Sequence, residues 1–193
     1  MFTGFKQSVV ILAVTTTFYI MDALMFSRYE RQRQQEGTGK AWGYTIAMVL
    51  LALFLSAQPI LLPILSIGTG SWWGFALQVL GIILVLSGLT LHVWAREHLQ
   101  QFYTERVEYQ KGHVVVDTGP YALMRHPTFT SFIEITLGLL LVNPALPTLL
   151  VFLYTIWDFT RAAKQEEELL GANLPGYAEY AAHTPRFFPR LRK

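Results

Sequence analysis

Residues 72–94, WWGFALQVLGIILVLSGLTLHVW, form an apolar run without Asp, Glu, Lys or Arg. An α-helix needs roughly 20 mostly apolar residues to cross the hydrocarbon core of a bilayer, because each residue advances it by about 1.5 Å. Towards the N-terminus, residues 42–67 and 7–26 meet the same requirement. The sequence therefore predicts three membrane-spanning helices.

Two shorter apolar runs follow, residues 129–142 and 146–159, and the sequence Asn-Pro-Ala-Leu-Pro between them favours a tight turn. We interpret them as a helical hairpin that crosses the membrane, although runs this short could also be re-entrant. Beyond residue 161 we expect a helical tail, with a helix to about Leu170 and a second turn near residues 177–182. The predicted fold class is an all-α polytopic membrane protein with about five spans, one domain over residues 1–193.

The composition favours one membrane domain over a soluble protein. Of 193 residues, 52% are hydrophobic and 15% charged, and the mean hydropathy is +0.35. The absence of cysteine excludes disulfides and thiolate zinc sites, and metal dependence is not indicated. The net charge of +2 is not gathered into a basic stripe, so we expect no nucleic-acid partner. The first apolar run lacks a small-residue cleavage site, and we interpret it as a retained helix.

The basic residues predict the topology. Lys and Arg follow the first and third spans and the fifth, but none lies between the second and third spans or in the hairpin turn. Because basic loops stay on the cytoplasmic side, the N-terminus is predicted outside and the C-terminus inside. The polar segments 112–129 and 161–189 would then lie together at the cytoplasmic membrane face.

The segment 112–129 carries two histidines, an arginine, a tyrosine and a Gly-Pro turn immediately before a helix. Pro127 suits the first turn of that helix, where its missing amide hydrogen costs nothing. The free amides and the positive helix end there favour an anionic group, and Arg125 and His126 add to that preference. The segment therefore predicts a site for a carboxylate or a phosphate.

A second polar cluster follows the fifth span. At helical spacing, Arg161 and Glu166 can both face one cavity, and a cation beside an acid can hold a zwitterion. Glu167 and Glu168 are interpreted as a solvated helix face.

The order of these motifs resembles the isoprenylcysteine carboxyl methyltransferase family and its phospholipid N-methyltransferase relatives. The resemblance rests on Gly-His-x-Val, Gly-x-Tyr, Arg-His-Pro-x-aromatic, the hairpin, Arg with a Glu run, Tyr-x-x-Tyr and Arg-Phe-x-Pro, from residue 113 to residue 189. It implies a membrane-embedded enzyme that uses S-adenosylmethionine and methylates a lipophilic small molecule. The acceptor itself is not predicted.

The resemblance also implies which residues surround the cofactor. One wall would be formed by His113, Val114, Val115, Val116 and Tyr121, and another by His126, Pro127, Thr128 and Phe129. Arg161 would lie on the substrate side. For the cofactor-side acid, counting from Arg161 reaches Gln165 and counting from Tyr177 reaches Glu166, and we predict Glu166. Phe129 stands where the family usually has tyrosine, which keeps stacking and loses a hydroxyl.

Two further residues carry an alternative interpretation each. Arg125 is assigned to the cofactor, but it could equally be a membrane-surface anchor. Glu134 lies within the fourth apolar run, where an acid is costly enough to suggest a function, and we assign it to the substrate pocket. Its alternative is a structural acid paired at headgroup level.

Two other functions stay open. A membrane reductase of related helical architecture would bind NADPH, but the sequence offers no additional basic cluster near Tyr121 for the phosphates. A non-enzymatic scaffold or transporter would need more polar residues at mid-span than Glu134 alone. A Rossmann-type methyltransferase is excluded, because the chain has neither a Gly-rich strand-to-helix turn nor α/β alternation.

Overall fold

A computed structural model describes residues 3–29, 42–67, 72–102 and 114–189, and the chain in these ranges is helical. Its only strand-like pairing there is an isolated bridge between Ser66 and Ala145. The α-helices are α1 (Phe5–Tyr29), α2 (Trp42–Leu61), α3 (Trp72–Leu99), α4 (Pro127–Val142), α5 (Leu146–Asn173) and α6 (Tyr177–His183). The all-α prediction is confirmed for this part of the chain.

Helix α2 is shorter than predicted. The prediction carried this segment to residue 67, whereas the helix ends at Leu61 and a short 3-10 turn, Pro63–Leu65, follows. Pro63 disfavours helical backbone at Leu62, whose φ and ψ are −132° and 55°. The apolar run and the helix therefore end at different residues.

Helix α5 is longer than predicted. The hairpin span 146–159 and the tail helix from residue 161 are one continuous helix of 28 residues. Pro147 lies in its first turn, where proline is tolerated, and the next Gly or Pro is Gly171. The second predicted turn of helix is confirmed as α6.

Two helices within the described ranges are long and apolar enough to cross a membrane, Phe5–Met25 of α1 and the whole of α3. Met48–Leu61 and Pro127–Val142 are apolar helices below that length. Large apolar side chains such as Leu24, Leu50 and Ile83 are more than half exposed. Apolar exposure on this scale is typical of a surface that faces lipid.

The contacts divide the chain into two compact units, Met1–Leu86 with Ile135–Phe152 and Ser87–Glu134 with Leu153–Lys193. Amide side chains hold the first unit together. Gln7 and Gln78 both donate to the carbonyl of Val142, at 3.0 and 3.2 Å, and Asn143 donates to Oε1 of Gln58 at 2.7 Å. These amide side chains thereby find hydrogen-bond partners inside the protein, as an apolar surrounding requires.

The second unit contains a hydrophobic cluster and a buried polar contact. Leu170, Leu174 and Tyr177 form a buried cluster against which Val115 and Tyr180 lie. Near the start of α4, Nδ1 of His92 lies 3.2 Å from the Ser131 hydroxyl. The predicted site residues that the structure describes all belong to this unit.

Candidate active site

A tight turn carries the chain towards α4. Residues 119–122 form a 3-10 turn, and Gly119 has a φ of +58°, which disfavours other residues. A Cβ at Gly119 would also collide with the His98 imidazole. This turn buries the Tyr121 side chain and leads directly to Arg125 and His126.

Aromatic stacking holds the first turns of α4. The His126 ring lies parallel to the Phe129 ring, with 5.2 Å between their centroids. The Phe129 and Phe132 rings each stack on Phe159 of α5 at 4.9 Å. Phe129 therefore stacks on the His126 ring and on the Phe159 ring.

Glu167 of α5 is the central charged residue of the site. Its Oε1 lies 2.9 Å from Nε2 of His126 and 3.0 Å from a guanidinium nitrogen of Arg125. Both carboxylate oxygens also accept hydrogen bonds from Arg186. One carboxylate thus binds two arginines and a histidine.

The C-terminal tail is attached to the same place through its backbone. The amides of Arg125 and His126 donate to the carbonyls of Pro185 and Arg186, at 2.8 and 3.0 Å. The Thr130 hydroxyl donates to the Phe187 carbonyl at 2.8 Å. The tail residues 185–187 therefore lie along the start of α4.

Further contacts join the turn and Arg125 to α6. The Tyr180 hydroxyl donates to the carbonyl of Tyr121 at 2.7 Å. The Arg125 guanidinium donates to the carbonyl of Ala181 at 2.6 Å. Segments that are about 60 residues apart in sequence are thereby held together around one site.

A cavity of about 60 Å³ lies between these elements, and a cleft of about 770 Å³ adjoins it. The cavity is lined by Leu99, Phe102, Val114, Val115, Val116, Tyr121, Arg125, His126, Thr128, Glu166, Leu170, Leu174, Tyr177 and Tyr180. The cavity and the cleft share four of these residues as walls, Val114, Val115, Leu174 and Tyr180. The walls are mainly apolar, with a few polar groups that converge, as in small-molecule sites.

The charges at the site hold one another in their ionised forms. Burial lowers the pKa of His126, but the hydrogen bonds and negative charges of Glu166 and Glu167 outweigh it and raise that pKa above its ordinary value. Burial raises the pKa of Glu167, but the hydrogen bonds from His126 and Arg186 outweigh it and lower that pKa to about 2. His126 therefore favours the imidazolium form beside a carboxylate.

The structure brings most of the predicted cofactor residues together. Those that line the cavity are Val114, Val115, Val116, Tyr121, Arg125, His126, Thr128 and Glu166. Pro127 and Phe129 flank them in the first turn of α4. His113 lies outside the described residues. Gln165 is exposed, so the geometry favours Glu166 over Gln165 as the acid at the cavity.

The two residues predicted on the substrate side do not line this cavity. Glu134 lies eight residues beyond His126 on α4, about 12 Å along the helix axis at 1.5 Å per residue. Arg161 is exposed, and its guanidinium carbon lies 5.7 Å from the centre of the Trp157 ring. The structure therefore separates these two side chains from the group around His126.

One expectation from the sequence is wrong. Glu167 was expected to be solvated, but its side chain is only 16% exposed and bears the ion pairs, whereas Glu168 is exposed as predicted. The anionic group expected beside Arg125 and His126 is the carboxylate of Glu167 itself. The sequence did not predict a role for Glu167 or Arg186. The only sign of them was that Glu167 belongs to the Glu run and that Arg186 begins the Arg-Phe-x-Pro motif.

Known proteins match the part of the chain that builds this site. The model of the isoprenylcysteine carboxyl methyltransferase (ICMT) family matches residues 80–172. The protein-S-isoprenylcysteine O-methyltransferase of Saccharomyces cerevisiae is 26% identical over 187 residues, 91% of this chain and 77% of that protein. The Homo sapiens protein of the same name is 28% identical over 122 residues, 60% of this chain and 42% of that protein.

A bacterial relative carries a different name. The nickel-cobalt-cadmium resistance protein NccN of Alcaligenes xylosoxydans xylosoxydans is 34% identical over 84 residues, 42% of this chain and 39% of that protein. The chain thus spans about two fifths of the length of this relative. The matched stretches contain most of the motif residues around the cavity, and together they support the resemblance to the isoprenylcysteine carboxyl methyltransferase family.

Proposed function

We propose that this chain is a membrane methyltransferase that transfers a methyl group from S-adenosylmethionine to a lipophilic acceptor. The observation that carries the proposal is the grouping of Val114–116, Tyr121, His126 and Glu166 around one cavity. The family resemblance assigns the same residues to the cofactor. The names of the yeast and human relatives support the same reaction class.

The chemistry of the cavity suits this cofactor. Glu166 is a partly exposed carboxylate at the wall, with 34% of its side chain accessible, and it can accept hydrogen bonds from an ammonium group. Val114, Val115 and Leu174 offer apolar surface to a purine. The cavity alone is far below the several hundred Å³ of a typical ligand site, whereas the cavity and the adjoining cleft together reach that size.

The bound cofactor supplies a methyl group on a positively charged sulfonium. The protein's contribution is to bind, to orient and to exclude water, because such a displacement needs no covalent intermediate. Tyr121 and His126 hold the walls in place, and Glu166 orients the ligand. Arg125 acts beside them through its contacts with Glu167 and the Ala181 carbonyl.

The acceptor class that we propose is an isoprenylcysteine carboxylate or another small lipid that enters sideways from the bilayer. A carboxylate acceptor needs no general base, and the exposed Arg161 is suited to orient it. Glu134, about 12 Å further along α4, is proposed to lie in the acceptor pocket, where it could take the proton of an amine acceptor.

We further propose one integral membrane domain over residues 1–193 with five spans, the last two a hairpin of α4 and the first half of α5. Asn143, Pro144 and Ala145 form the connection between these two helices, and the Thr148 hydroxyl ties it together by donating to the Asn143 carbonyl at 2.6 Å. The distribution of Lys and Arg supports an outside N-terminus. It also supports a C-terminus and an active site at the cytoplasmic face.

Calorimetric titration of the detergent-purified protein with S-adenosylmethionine tests the proposal, with NADPH titrated in parallel. We expect saturable binding of S-adenosylmethionine that Glu166→Ala abolishes and that Gln165→Ala leaves unchanged. Binding of NADPH alone would favour a reductase instead. If neither compound binds, a scaffold or transporter becomes the better hypothesis.

A further inference from the structure

The neighbouring acids Glu166 and Glu167 have very different surroundings. Glu167 contacts Arg125, His126 and Arg186, and both of its oxygens are engaged. Glu166 lines the cavity, and its Oε2 lies 3.5 Å from Nδ1 of His126, a weaker contact than the 2.9 Å between Glu167 and Nε2 of that ring. The two carboxylates are therefore suited to different tasks.

The contacts of Glu167 close a ring. Its carboxylate binds the His126 imidazole and the Arg186 guanidinium, and the carbonyl of Arg186 accepts the backbone amide of His126 at 3.0 Å. Three elements meet in this ring: the start of α4, the middle of α5 and the tail. Removal of the carboxylate would leave two arginines and an imidazolium close together with only the more distant Glu166 as counter-charge, which is unfavourable where the groups are partly buried.

We propose that Glu167 is a positioning residue of the methyl-donor site, which fastens the tail residues 185–187 and the His126 ring to α5 so that Glu166 faces the ligand. The inference rests on the proposed function for the identity of that ligand. Both oxygens of Glu167 bind cationic side chains and the residue does not line the cavity, so its effect on binding is indirect.

The first readout is hydrogen exchange of the ligand-free protein, compared between Glu167→Gln and the matched control Glu168→Gln on the exposed side of α5. The amides of Arg125 and His126 are protected by the tail carbonyls. In Glu167→Gln we expect their exchange to accelerate by about tenfold, the effect of losing one charge-assisted contact. The control should exchange like the wild type.

The second readout is the titration of the His126 ring by NMR with histidines labelled at Cε1, assigned with His126→Gln. The charged groups facing this ring are Glu166 and Glu167 on α5, with Arg125 beside it and Arg186 behind Glu167. Glu167→Gln should move the midpoint of His126 downwards, and Glu168→Gln should leave it in place. This selective change reports the ion pair between Glu167 and His126 directly, whereas a general loss of stability would not shift the midpoint of one histidine.

Arg186→Gln provides an independent variant. It removes the ion pair between the tail and Glu167 and changes no residue of a helix. It should accelerate exchange at Arg125 and His126 as Glu167→Gln does, and Arg186→Lys should restore part of the protection. Unchanged exchange and an unchanged His126 midpoint in Glu167→Gln would overturn the proposal. Loss of cofactor binding in Glu167→Gln without faster exchange and without a shifted midpoint would also overturn it. Faster exchange in every helix would overturn it too, because it would indicate general destabilisation. The readouts need no ligand, so failure to bind S-adenosylmethionine would contradict the proposed function alone.

Discussion

Gly81 of α3 and Gly138 of α4 approach each other so closely that a Cβ on Gly81 would lie 2.6 Å from the Gly138 carbonyl oxygen. A Cβ on Gly138 would lie 2.7 Å from a methyl carbon of Val85. Small residues of this kind let membrane helices pack backbone to backbone. This contact determines the spacing of α3 and α4 in the first unit.

Gly138→Ala should lower the free energy of unfolding by about 1–3 kcal/mol, because the added methyl group must push the two backbones apart. Unfolding of the detergent-solubilised protein, followed by circular dichroism, measures this change. Gly171→Ala is the matched control, since no atom lies within 4 Å of a Cβ there and alanine favours the helix by up to about 1 kcal/mol. Equal stability of Gly138→Ala and wild type would contradict the close contact.

Tyr180→Phe should weaken binding of S-adenosylmethionine about three- to tenfold. The Tyr180 hydroxyl donates to the Tyr121 carbonyl at 2.7 Å, and loss of one such hydrogen bond costs about 0.5–1.5 kcal/mol. Calorimetric titration measures the affinity. Tyr154→Phe, which alters an exposed tyrosine of α5, should bind like the wild type. Identical affinities of the two variants would show that this contact does not shape the cavity.

Arg161→Ala should lower turnover by tenfold or more, a loss of about 1.4 kcal/mol in transition-state stabilisation, while cofactor affinity stays within about twofold. Turnover should fall because Arg161 is proposed to orient the acceptor. Cofactor affinity should be kept because Arg161 is exposed and does not line the cavity. Methyl transfer to an isoprenylcysteine carboxylate, assayed with labelled cofactor, gives turnover, and calorimetry gives affinity. Lys164→Ala, also exposed on α5, serves as control. Loss of cofactor affinity in Arg161→Ala would move this residue to the cofactor.

The ion pair between His126 and Glu167 predicts how stability depends on pH. The pKa of Glu167 is lowered from an ordinary 4.5 to about 2, so its contribution is complete above pH 4.5 and is lost as the pH falls towards 2. The pKa of His126 is raised from 6.5, so its contribution is complete below pH 6.5 and is lost as the pH rises through the raised value. The contribution of the pair should be greatest between pH 4.5 and 6.5.

Thermal unfolding in detergent between pH 3 and pH 9 tests this dependence. Glu167→Gln should flatten the profile relative to the wild type, most strongly within the window in which the pair is complete. Glu168→Gln should preserve the wild-type profile, because Glu168 is exposed. A profile that Glu167→Gln leaves unaltered would show that other groups govern the acid and alkaline limits.

Features that depend on neighbouring residues could be predicted from the sequence better than features that depend on residues far apart in it. Helices α1, α3 and α4 were predicted close to their observed positions, because apolar length and the proline at the start of α4 are local properties. The bounds of α2 and α5 were predicted less well. Helix α2 ends before its apolar run does, because Pro63 follows. Helix α5 continues past its apolar run, because no Gly or Pro interrupts it before Gly171.

The sequence by itself determined the helical class, and the order and types of its motif residues predicted that Val114, Tyr121, His126 and Glu166 would lie near one another. Only the tertiary structure decided that Glu166 lines the cavity and that Glu167 bears the ion pairs. The face of α5 that meets α4 and the tail depends on packing between residues about 20 to 40 positions apart. That packing buries Glu167 among cations and leaves Glu166 at the cavity, a distinction that two adjacent and chemically identical residues cannot express in sequence alone.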